Sequence, residues 1–74
     1  MGNATAAIRE QLMVNNQEYQ RLYEEHERYD ARLMQLESKK FLTEQEQVEE
    51  VRLKKLKLRT KDQMEQLVHR AMGA

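Results

Sequence analysis

Seventy-four residues with 13 Lys and Arg, 13 Asp and Glu, no proline and no cysteine make one domain at most, and the balanced charge gives no whole-molecule field to draw in DNA or an anionic membrane. The missing cysteines exclude a disulfide framework and a thiolate metal site, and point to a reducing cytoplasm. Apolar runs no longer than Leu12-Met13-Val14 exclude a membrane span, and the N-terminus lacks the basic-then-apolar order of a secretory signal.

The first predicted element is a short helix over residues 5–14, with Ile8 and Leu12 on its inner side. Asn15-Asn16 is the natural break, because asparagine competes with helical backbone and favours caps. Asn16 is the expected N-cap of a second helix over 17–38, with Glu18 near its positive dipole end. A seam crosses this break in register: Ile8, Leu12, Asn15, Tyr19, Leu22, His26, Tyr29, Leu33 and Leu36 alternate four and three residues apart. That is the a/d pattern of a helix packed lengthwise on another. The register would also suit one continuous helix; the asparagine pair favours a break.

Residues 39–43 read as a turn, and Thr43-Glu44-Gln45-Glu46 as a T-x-x-E capping box that starts a third helix over 44–71. On this helix Leu53, Leu56, Thr60, Met64, Leu67 and Ala71 share one face. A turn this short makes its two long helices antiparallel neighbours. If Phe41 is its centre, residue i faces roughly 82 − i, which sets Tyr29 by Leu53, His26 by Leu56 and Leu22 by Thr60. The expected fold is all-α: an antiparallel, coiled-coil-like helical hairpin with a short N-terminal helical segment. One pair of helices buries little area against the entropy of ordering the chain, so association into a larger bundle, most simply a dimer, is expected.

The run Arg52–Lys61 holds six cations (Arg52, Lys54, Lys55, Lys57, Arg59, Lys61) and no anion. By the facing rule it lies opposite Glu24, Glu25, Glu27 and Asp30, so a charge zipper flanking the seam is the preferred reading. Nucleic-acid contact by the same six is the alternative, weakened because no aromatic interleaves with them. Val48, Val51 and Leu58 form a thinner apolar strip away from the main face. With Tyr19 and Tyr23 they make up the expected interaction surface, for a second copy or for another protein. Leu42, just before the Thr43 cap, is placed to fold onto the third helix as a hydrophobic staple.

No enzyme is expected. His26 and Asp30 stand four apart, a spacing compatible with metal or acid–base work, but no third ligand supports them and no cofactor is implied. His26 at an a position reads as a polar residue that fixes register, with pH sensing as a third use.

The stretch Asn16-Gln-Glu-Tyr-Gln-Arg-Leu-Tyr-Glu-Glu-His26, then Tyr29-Asp30 and Leu33, then Leu53-Lys54-Lys55, Lys57-Leu58 and Lys61-Asp62, resembles the YdcH-like proteins. These are small bacterial proteins catalogued as a domain of unknown function. The likeness covers roughly residues 12–70, and the LKK-x-KL-x-x-KD pattern is its most specific part. Tyr29 and Thr60 depart from the leucines usual there. The resemblance implies a helical hairpin of bacterial cytoplasmic origin and supplies no activity.

Overall fold

A computed structural model describes residues 2–73, and side chains from Thr5 onward. Among these residues the chain is all-helical: α1 (Gly2–Asn15), α2 (Gln17–Glu37) and α3 (Glu44–Ala71) pack as a small helical bundle. The first helix starts three residues earlier than the sequence suggests.

Asn16 divides α1 from α2. Its backbone is extended (φ −115°, ψ 111°), and its side-chain oxygen accepts from the Tyr19 amide at 2.9 Å. Gln20 reaches back to donate to the carbonyls of Met13 (2.6 Å) and Val14 (3.2 Å). The asparagine thus satisfies an orphan donor of α2 while the glutamine satisfies orphan acceptors of α1. One continuous helix is ruled out by this junction, and Asn15 leaves the seam: it is exposed.

Helix α2 closes at Ser38, whose hydroxyl donates to the Gln35 carbonyl at 2.7 Å. Helix α3 opens on a complete capping box: the Thr43 hydroxyl accepts from the Glu46 amide (3.1 Å), and the Thr43 amide donates to the Glu46 carboxylate (3.0 Å). Phe41 at the turn is 83% exposed, whereas Leu42 is half-buried. Beyond α3, Gly73 takes a left-handed φ of 80°, where a side chain would be strained.

The most extensive packing is between α2 and α3. Side-chain pairs across it run in reverse order along the chain: Lys39 with Glu46, Arg32 with Glu49, Asp30 with Lys57. The facing rule places Arg32 beside position 50 and Asp30 beside position 52; the partners are Glu49 and Lys57, so the rule holds at Arg32 and is five residues out at Asp30. Tyr19, Leu22, Leu33 and Leu36 of α2 are buried, as are Thr60, Leu67 and Val68 of α3. Thr60 is buried with its hydroxyl satisfied, donating to the Leu56 carbonyl at 2.8 Å.

Helix α1 bridges α2 and α3 at the end away from the turn. Arg9 pairs with Glu65 at 2.6 Å, and Ile8, Leu12 and Met13 pack on a cluster of Tyr19, Leu22, Leu67 and Val68. This contact corrects two expectations. Val68, one position round from the main stripe, is buried because α1 covers it, while Ala71 at the helix end is exposed.

Leu36 is fully buried beside Met34, which is 63% exposed. Leu36→Ala is expected to cost about 2–5 kcal/mol, and Met34→Ala less than about 0.5 kcal/mol. Urea unfolding at one fixed protein concentration checks both; equal losses would contradict the burial pattern.

Candidate functional site

The ladder of pairs gives the bundle two flanks. Asp30 and Arg32 are two residues apart and so stand about 200° apart around α2. Asp30 accepts from Lys57 on one flank, while Arg32 grips Glu49 with two parallel bonds (2.8 and 2.9 Å) on the other. These pairs tune their own members. The hydrogen bond from Lys57 holds the Asp30 carboxyl below its usual range, and the bonds from Arg32 do the same for Glu49. Glu46 is lowered from 4.5 to about 2, chiefly by the Lys39 bond and then by the Thr43 amide.

On the Asp30 flank lies an open groove of about 1070 Å³ beneath α1. Arg9, Glu10, Met13 and Val14 of α1 close one end. Tyr23, His26, Glu27, Leu33 and Glu37 form the α2 wall, and Lys54, Lys57, Leu58, Lys61 and Met64 the α3 wall. Apolar surface runs along its length: Val14 is 75% exposed, Leu58 60% and Tyr23 39%. Cations and carboxylates alternate around it in near-equal number, so the surface carries little net charge.

The expected interaction surface is therefore only partly assembled. Leu58 and Tyr23 meet in the groove. Val48 and Val51 are exposed on α3 but take no part in lining it. Tyr19 lines the groove as well, but at 4% exposure it is chiefly a core residue, and burial raises its phenol pKa. The groove residues that sequence reading missed (Val14 and Arg9) come from α1, whose position depends on the Asn16 junction and leaves no trace in the seam's spacing.

The basic run divides as well. Lys54, Lys57 and Lys61 face the groove, whereas Arg52, Lys55 and Arg59 do not line it. The proposed zipper with Glu24, Glu25 and Glu27 is narrower than expected. Among the described residues the pairs between α2 and α3 use Asp30, Arg32 and Glu49, and Lys54 lies 4.0 Å from Glu50 of its own helix. A helix of 100° per residue scatters a contiguous run around its axis, so the six cations of this ten-residue run cannot share one partner helix. His26 lines the groove, and Asp30 is engaged by Lys57. No group of three His, Cys, Asp or Glu among the described residues is placed to hold a metal ion.

Residues 20–68 match the family described as "Protein of unknown function (DUF465)", and the chain belongs to it. No curated protein and no solved structure matches the chain. No helix among the described residues is long and apolar enough to cross a membrane.

The depressed Glu46 value makes stability depend on pH with a definite sign. Because the folded value lies below the unfolded one, the unfolded chain binds the proton first as pH falls. The Lys39–Glu46 contribution is complete above about 4.5 and is lost as pH drops toward about 2. Thermal melts between pH 6 and 2 should show a falling Tm. Glu46→Gln, which keeps a capping side chain, should flatten that fall, leaving the shares of Asp30 and Glu49; an unaltered slope would refute the assignment.

Proposed function

We propose that this chain is a non-enzymatic, self-associating helical interaction module whose working form is a dimer. Its α2–α3 unit is read as an antiparallel, coiled-coil-like hairpin, with α1 as a brace across the open end. The YdcH-like pattern is what supports reading it as a small bacterial protein acting in the cytoplasm.

The groove carries this reading. Six apolar side chains make up the buried core, a small number for 72 ordered residues, while Val14, Tyr23 and Leu58 stay accessible along one concavity. A chain of this size gains most from a second copy. A two-fold interface places the same patch on both subunits and must be self-complementary. The groove meets that condition, since Arg9, Lys54, Lys57 and Lys61 stand among Glu10, Glu27, Glu37 and Glu65. A surface of one sign would repel its own copy.

Sedimentation at tens of micromolar should show a dimer. Tyr23→Glu and Leu58→Glu alter exposed positions, so each should keep its helix content while weakening association tenfold or more, about 1.4 kcal/mol. A wild-type chain that sediments as a monomer and melts cooperatively would refute the reading.

A further inference from the structure

The flank opposite the groove has a different character. Positions 45, 48, 52, 55, 59, 63, 66 and 70 of α3 follow one another three or four residues apart, so they form one stripe along the helix. All eight are exposed. The stripe holds Arg52, Lys55, Arg59 and Arg70, interspersed with Gln45, Gln63 and Gln66, and it contains no carboxylate. Among the described residues none of its four cations is in an ion pair.

The neighbouring helix extends this surface. Arg32 marks the flank by its bond to Glu49, and Arg28 and Arg21 precede it by four and eleven residues, within about 40° on the wheel. Both are exposed and unpaired among the described residues. The carboxylates on this side are Glu49, held by Arg32, and Glu18, Glu24 and Glu25 of α2, which balance the α2 arginines; Asp62 borders the α3 stripe on its groove side, so the surplus of cations lies on α3. Arg21, Arg28, Arg32, Arg52, Lys55 and Arg59 outnumber them. A chain of zero net charge thus presents one balanced flank and one basic flank.

We propose that this basic flank, built by Arg21 and Arg28 of α2 and Arg52, Lys55 and Arg59 of α3, is a phosphate-binding surface for duplex nucleic acid. Arg52 and Arg59 lie about 10 Å apart along the helix axis, as do Arg21 and Arg28. The two rows are set by helices whose axes pack about 8–10 Å apart. Two rows of cations can engage the two phosphate strands of one duplex, with the glutamines as neutral donors to phosphate and sugar. The flank carries no exposed aromatic on which unpaired bases could stack, which favours a duplex over a single strand. Contacts of this kind read backbone rather than sequence. This surface is independent of the groove, so both can act in one particle, and a dimer would carry two.

Fluorescence anisotropy with a labelled 20-base-pair DNA duplex, and separately an RNA duplex, tests the assignment. Retention is expected at low salt, with log K for the DNA duplex falling against log salt at a slope of about −4.5, as for five phosphate contacts. R52A/R59A should weaken binding tenfold or more. Read below the protein concentration at which the chain associates, K54A/K61A removes the same charge from the groove and should change binding less than twofold. Equal losses in the two doubles, no retention at low salt, or polyglutamate competing as well as the duplex would each overturn the proposal, the last marking a site for an acidic protein. Sedimentation of R52A/R59A as a wild-type-like dimer keeps this outcome separate from that of the self-association reading.

Discussion

The burial of α2 against α3 is the constraint on which everything else rests. Leu22, Leu33 and Leu36 cannot leave water without a facing surface, and Thr60, Leu67 and Val68 supply part of it. The turn at 38–43 brings that surface within reach, and the caps at Ser38 and Thr43 fix where each helix stops and starts. Once the two helices are docked, their flanks are determined. Asp30 and Lys57 must meet on one side, and Arg32 and Glu49 on the other.

The two flanks have separate chemistry because the helix turns by 100° per residue. Neighbours in the basic run are carried to opposite sides of α3, so Lys54, Lys57 and Lys61 stand among glutamates while Arg52, Lys55 and Arg59 face water. The bonds that cross the seam are exposed ion pairs, and pairs of this kind specify an arrangement more than they stabilise it. Their value lies in register: each holds α2 and α3 at a fixed offset, and hence holds the groove walls at a fixed separation.

Much of this was legible in the residues themselves. The T-x-x-E signal at Thr43 is local, since both bonds form within four residues, and tertiary packing has little power to change it. Asn16 was legible for the same reason. The 3–4 seam identified Tyr19, Leu22, Leu33 and Leu36, because burial of one face leaves a periodic trace. The direction of α1 left no such trace. Its Ile8 and Leu12 keep register with α2 whether the helix continues or turns aside, so nothing in the spacing assigns Val68 to the core or Arg9 to the groove. Tyr19 serves both readings, because an amphipathic ring at a seam position can be buried under α1 and still line the groove. The zipper was overdrawn because a run of charges in sequence is not a row of charges in space.

The account stands or falls on the fold-back of α3 along α2. The absence of native cysteine allows spin labels at Glu24→Cys and Arg59→Cys, both exposed positions that the fold-back brings to a similar level along the two helices. Measured in a sample diluted with unlabelled chain, so that only distances within one molecule report, the labels should lie within about 25 Å, two packed helices plus their linkers. A distance near 50 Å, that of 35 residues rising about 1.5 Å each along one unbent helix, would contradict it.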